Sequence, residues 1–251
     1  MRPVKKQVVL TVAESKRLIA KGVAALPQIQ RAMKEGIVAV APGTTNGYVL
    51  QELWGEEFEL RRYRSGVTTP EASGYVELHP DLIPDVVFNK GKVDKELDRA
   101  SCIAKMGIRD VYIKGANALD YLGGMAGILI GSSVGGTIGG ALPGIIGKKI
   151  ELVIPVGLEK LVYEDLNELH HLASAGEFDG GVPNLWPVTG TIITEIEALG
   201  ILTGVDAYLY SAGGVAGAEG SVRLLIEGTD EELEKATELI ESIKGEPPYE
   251  L

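Results

Sequence analysis

The sequence predicts an α/β protein, with a mostly parallel sheet carrying helices on both faces and a small α+β domain after it. Short apolar runs alternate with helical patterns through residues 37–172, the order that builds parallel sheets. Three of those runs, IVAVA (37–41), DVYIK (110–114) and IELVIPV (150–156), lead directly into glycine-containing turns. Ligands of parallel sheets sit beyond the carboxyl ends of the strands, so these turns are where a site is expected. Residues 185–251 read strand, helix, strand, strand, helix.

Taken in order, residues 11–36 carry a helical stripe of Leu18, Ile19, Val23, Leu26 and Ile29, with Pro27 kinking it or starting a second helix and Gly36 stopping it. The run 37–41 is a buried strand, Pro42 to Gly47 a small polar turn, and YVLQELWG a helix. Residues 58–93 read as short strands and turns, 94–107 as a helix, and 158–173 as an amphipathic helix. In the C-terminal part WPVTG is a strand, IITEIEALGI a helix, and DAYLYSA and SVRLLIEG are strands. The last helix is signalled most strongly. Thr229 and Glu232 form a capping box, Leu233, Ala236, Leu239, Ile240 and Ile243 give the buried face, and Gly245 with Pro247 ends it. This βαββα order predicts a small ferredoxin-like unit, giving boundaries of 1–172, a linker at 173–184, and 185–251.

Residues 121–147 carry no charge and ten glycines, with Gly123, Gly127, Gly131, Gly135 and Gly139 at every fourth position. One continuous helix would be about 40 Å long, enough to span a bilayer with a GxxxG face. Ten glycines and Pro143 oppose that, each glycine costing up to ~1 kcal/mol against alanine, and a span would separate two strands of one sheet. The expectation is a glycine-rich loop followed by a short buried helix.

The chain of 251 residues has a net charge of −11, which disfavours a nucleic-acid surface. A single cysteine, Cys102, forms no internal disulfide, and the start MRPVKKQVVL lacks a signal-peptide pattern, so the expected location is cytoplasmic. Cys102 reads as a small buried residue. His170 and His171 point about 100° apart on a helix, and with only His79 besides, no metal site is expected. No cofactor is expected. Trp54 and Trp186 read as packing aromatics.

IVAVAPGTTNGYVLQEL, RDVYIKGANALD, ILIGSSVGGTIGGAL and ELVIPVGLEKLV occur in the order and spacing of four motifs of ribose-5-phosphate isomerase A, over roughly residues 15–244. The chain thus resembles the superfamily of that isomerase, glucosamine-6-phosphate deaminase and the CoA transferases. The resemblance places Gly43, Thr44 and Thr45 on the family's Gly-Ser-Thr turn, Gly115, Ala116 and Asp120 on like residues, and Lys160 on its lysine. It also implies a ferredoxin-like domain. Lys114 and Asn117 stand where the family has two active-site aspartates, and nothing charged between Asp120 and Lys148 supplies its general-base glutamate. A base is worth about 10²–10⁴ in rate, so the family's isomerisation is not expected.

Thr44, Thr45 and Asn46 at a helix start can present N–H, hydroxyl and amide groups to an anion, aided by the helix dipole at ~0.3–1 kcal/mol. Lys114 can neutralise it, Gly115 and Asn117 follow in the same turn, and Ser132, Ser133, Gly135, Gly136 and Thr137 can line the pocket. Glu71 and Glu77 read as surface charge rather than as a transferase nucleophile. The expected function is binding of a small anionic metabolite such as a sugar phosphate, nucleotide or acyl-CoA. Two other classes stay open: an enzyme using Lys114 as base or Schiff-base lysine, with Asn117 and Asp120 orienting substrate, and a non-enzymatic assembly protein that forms homo-oligomers.

Overall fold

The computed structural model describes residues 4–68, 80–176 and 183–250. Glu71, Glu77 and His79 lie outside the described residues, as does half of the expected linker. The elements are β1 (Val4–Leu10), α1 (Val12–Ala25), α2 (Pro27–Glu35), β2 (Ile37–Val40), α3 (Thr44–Trp54), β3 (Val86–Asn89), β4 (Lys92–Val93), α4 (Arg99–Lys105), β5 (Val111–Ile113), β6 (Ala118–Asp120) and β7 (Met125–Ile130). They continue with α5 (Gly136–Lys148), β8 (Glu151–Pro155), α6 (Leu166–Ser174), β9 (Asn184–Val188), β10 (Thr191–Ile193), α7 (Glu195–Thr203), β11 (Asp206–Ala212), β12 (Val222–Gly228) and α8 (Asp230–Ile243).

The fold is mixed α/β. A six-stranded sheet has the order β10-β8-β5-β2-β3-β4, in which the first four strands are parallel and the last two antiparallel. Val38, Val40, Val111, Ile113, Val153 and Ile154 are fully buried in it, which is why these strands read as unbroken apolar runs. Helices α1 and α2 pack on this sheet, and α1 also packs on α3 and α7. A capping box from Thr11 and Glu14 starts α1, Pro27 starts α2, and Thr229 with Glu232 caps α8 as expected.

Three local expectations change. The strand WPVTG, seen as β9, pairs with β7 rather than with the C-terminal strands, and β6-β7-β9 form their own antiparallel sheet. Its place beside β12 is taken by β1, so the sheet β1-β12-β11 draws strands from both ends of the chain. Residues 191–193 are a strand on the edge of the main sheet, and the Thr194 and Glu197 capping box delays α7 to Glu195. The helix expected from residue 158 begins only at Leu166. Leu161 bridges to Leu119, and the Asp165 carboxylate then accepts the N–H groups of Asn167 and Glu168.

The charge-free run is divided into β7, a loop and α5. Among the described residues no helix is long and apolar enough to cross a membrane. Gly144 lets α5 approach α4, since a Cβ there would lie 2.2 Å from Ile103 Cγ2. Cys102, on the α4 side, is buried, and burial pushes its thiol up to about 11.

Helices α1 and α7 meet through Gly22, where a Cβ would lie 2.6 Å from Ala198 Cβ and 2.8 Å from its Cα. Helix propensity favours Gly22→Ala by up to ~1 kcal/mol, whereas overpacking against a backbone atom costs about 1–3 kcal/mol. The clash wins. Gly22→Ala is expected to lower unfolding stability by about 1–2 kcal/mol in urea titrations; an unchanged or raised midpoint would show that the two helices can move apart freely.

Candidate functional site

The parallel strands end on one edge, and their exits stay in register. Ala41 N–H donates to the Ile113 carbonyl at 2.9 Å, and Lys114 N–H to the Val153 carbonyl at 3.0 Å. The turns after β2, β5 and β8 meet at a cleft of about 710 Å³, within the ~300–1,000 Å³ usual for metabolite pockets. Gly43, Thr44, Thr45 and Asn46 come from the first turn, Lys114, Gly115 and Asn117 from the second, and Lys160 from the third. The loop before α5 adds Ser132, Gly135 and Gly136.

Two helix N-termini face this space. Gly43 precedes α3 with no side-chain cap, so the first-turn N–H groups of Thr44, Thr45 and Asn46 are left for a ligand. Gly135 precedes α5 in a left-handed conformation, φ 80°, again without a side-chain cap. A non-glycine residue is strained in that conformation. Gly136, Thr137 and Ile138 line the cleft beyond it.

Asn46 is fully buried. Its Nδ2 donates to the carbonyls of Ala41 at 2.7 Å and Ile113 at 3.3 Å, which fixes the amide orientation. Oδ1 is left without a partner, on the side of Gly115, where a Cβ would lie 3.5 Å away. A buried unsatisfied acceptor costs about 1–3 kcal/mol, so it marks a place for a donor group.

Three cations line the cleft, Arg99, Lys114 and Lys160, and no Asp or Glu is among its described lining residues. Arg99 is gripped by Asp85 through both Nε and Nη2, and Asp85 also accepts the Tyr112 hydroxyl at 2.9 Å. Lys160 Nζ donates to the Ala116 carbonyl at 3.0 Å and lies 3.9 Å from Glu159 Oε1. Lys114 is 8% exposed and donates to the carbonyl of Gly115 at 3.1 Å. Burial, followed by repulsion from Lys160, pushes its ammonium down to about 8.

Behind Lys160 lies an acidic pair. Glu195, at the start of α7, is fully buried, and one carboxylate oxygen accepts the Leu158 N–H at 3.0 Å. Burial and then the Glu159 carboxylate push it up to about 7. Burial and Lys160 together push Lys16 of α1 down to about 8.

Two expected residues lie elsewhere. Ser133 is exposed and outside the cleft wall. Asp120 also lies outside it, with Oδ1 accepting the Gly123 N–H at 2.8 Å to close the β6–β7 turn. Asn117 reaches the cleft but its Oδ1 already holds the Leu129 N–H at 3.1 Å. Thr137, expected with the glycines of its loop, is in the cleft wall, whereas sequence reading missed Arg99, Ser65 and Thr68, which also line it. The run RSGVTT resembles the Thr-rich turn after β2 in composition and was the available signal; Arg99 had none. His170 Nδ1 lies 2.7 Å from the Leu185 carbonyl and its ring meets Trp186 edge-on, away from the cleft. Comparison of the chain with protein-family models, with curated proteins and with solved structures gives no match, so the assignment rests on this geometry.

Glu195 has a testable consequence. Its pKa is raised in the folded state, so the carboxyl contributes stability that is full below the unfolded value of 4.5 and is lost as pH rises through about 7. Glu195→Gln keeps an acceptor for Leu158 and cannot ionise. The variant is expected to exceed the native protein by on the order of 1–3 kcal/mol at pH 8, with the difference shrinking at pH 5. Denaturant unfolding at both pH values measures this; an equal difference at the two would rule out a buried ionised carboxylate.

Proposed function

We propose that the cleft binds a small anionic metabolite, with a phosphate as the group it recognises. The carrying observation is the charge of its wall: three cations and no carboxylate, in a chain whose acidic residues outnumber its basic ones by 35 to 24. Two uncapped helix N-termini add aligned N–H donors, which favour negative charge most where water is excluded. Hydroxyls of Thr44, Thr45, Ser65, Thr68, Ser132 and Thr137 surround them. The buried, unpartnered Oδ1 of Asn46 calls for a hydroxyl or amino group on the same ligand.

This reading keeps the resemblance to the isomerase-A superfamily as a statement about how a phosphate is held, at the turn after the first parallel strand and by Lys160. It does not carry that family's isomerisation. Lys114 and Asn117 supply no carboxylate, and no Asp or Glu among the described lining residues stands in as a base. The proposed role is therefore recognition of a phosphorylated metabolite.

Titration calorimetry with inorganic phosphate and with sugar phosphates tests this. Binding is expected to weaken with added salt, as for a charge-dominated site. Thr45→Ala is expected to reduce affinity about five- to tenfold, the loss of roughly one hydrogen bond of ~1 kcal/mol, and Lys114→Met by more, since bonds to charged groups are worth ~1.5–3 kcal/mol. Absence of heat with every phosphorylated compound, or affinities untouched by both substitutions, would overturn the reading.

A further inference from the structure

Three cations line the cleft, and one of them is placed to do more than hold a phosphate. Arg99 is held in place by Asp85, and Lys160 is tethered to the Ala116 carbonyl near Glu159. Lys114 is different. Among the described residues no carboxylate lies within ion-pair distance of it, and its amine donates only to the adjoining Gly115 carbonyl. It projects from the end of the central parallel strand β5, nine-tenths buried, into the wall of a space much larger than a phosphate.

From this geometry we propose that Lys114 is the nucleophilic amine of the cleft, forming an imine with the aldehyde or ketone carbon of a phosphorylated metabolite. The inference rests on the phosphate-binding reading, which supplies the orientation. With the phosphate at a helix N-terminus, the remaining space carries the carbon skeleton past the end of β5.

The chemistry needs no further reagent. The lone pair of the neutral amine attacks the carbonyl carbon, forming the C–N bond while the C=O π pair moves onto oxygen. A proton passes from nitrogen to that oxygen, giving a carbinolamine, and loss of water forms the C=N bond. Only water leaves. The unpartnered Oδ1 of Asn46 is an acceptor available to the carbinolamine hydroxyl.

The groups facing Lys114 favour the neutral amine. Burial and Lys160 lower its proton affinity, Arg99 adds to this, and Asp85 opposes it. With the value at about 8, neutral pH leaves roughly two orders of magnitude more free amine than an exposed lysine would offer.

The test treats the full chain with pyridoxal 5′-phosphate, a phosphorylated aldehyde, or with pyridoxal, which lacks the phosphate, then reduces with borohydride and maps labelled lysines by mass spectrometry. The expected result is Lys114 labelled ahead of every other lysine, at least tenfold faster with the phosphorylated probe, suppressed by excess inorganic phosphate, and with a rate rising to half-maximum near pH 8. Lys114→Arg cannot form an imine and is expected to lose the label, while its phosphate affinity is read separately by calorimetry. Label spread over exposed lysines, or equal labelling by both probes, overturns the imine while phosphate heats still uphold the binding reading. No phosphate heat overturns both.

Discussion

The site depends on one constraint, the parallel pairing of β2, β5 and β8 in a common register. Val40 pairs with Ile113 and Ile113 with Val153, so three chains leave the sheet on the same edge. Each exit begins with a backbone bond to its neighbour, as Ala41 to Ile113 and Lys114 to Val153 show. Because parallel strands all point one way, helices that follow them present their N-termini to that edge. The turn after β2 is further pinned. The Tyr63 hydroxyl, fully buried, donates to the Val40 carbonyl and accepts the Val86 N–H, while the Tyr63 carbonyl accepts the Gly43 N–H. That brings Ser65 and Thr68 to the cleft beside the start of α3.

Electrostatics on the two sides of Lys160 are opposed. Toward the cleft stand Lys114 and Arg99; behind it stand Glu159 and buried Glu195. Within each side like charges repel. Lys160 lowers the proton affinity of Lys114 and Lys16, and Glu159 raises that of Glu195. Neutral pH therefore lies close to the transitions of three buried groups, and the charge state of the cleft is sensitive to an arriving anion. A phosphate placed near Lys114 favours its protonated form and draws a proton from solvent.

What was legible in the sequence was whatever is encoded locally. The capping box of α8 and the apolar parallel strands are written in a few adjacent residues and appear where expected, and of the two outcomes open at Pro27 the structure shows a second helix. The three turns were legible for the same reason, and the register of the sheet brings them together. Pairing partners were not legible. The strand at 184–188 has the same pattern whichever sheet it joins, and β1 reaches β12 from the other end of the chain. Arg99 was equally hidden, because it enters the cleft through Asp85 and the close approach of α4 to α5. Ser132 and Ser133 are chemically alike and both exposed, and only the path of the loop puts the first and not the second in the wall.

The charge-free run shows how one composition satisfies several demands. Gly135 and Gly136 have φ of 80° and 60°, opening the start of α5 toward the cleft. Four and eight residues further, Gly140 and Gly144 face α4, where Cβ atoms would meet Arg99 Cδ at 3.5 Å and Ile103 Cγ2 at 2.2 Å. The four-residue spacing of Gly140 and Gly144 within α5 is thus a helix-packing face, which calls for small residues wherever two helices approach closely. Missing carboxylates follow from the same placement. An acidic residue in the first turn of α5 would pair with the N–H groups and with Arg99, filling the anion position from within. On the proposed reading, a charge-free helix start leaves that position open to a ligand that brings its own charge.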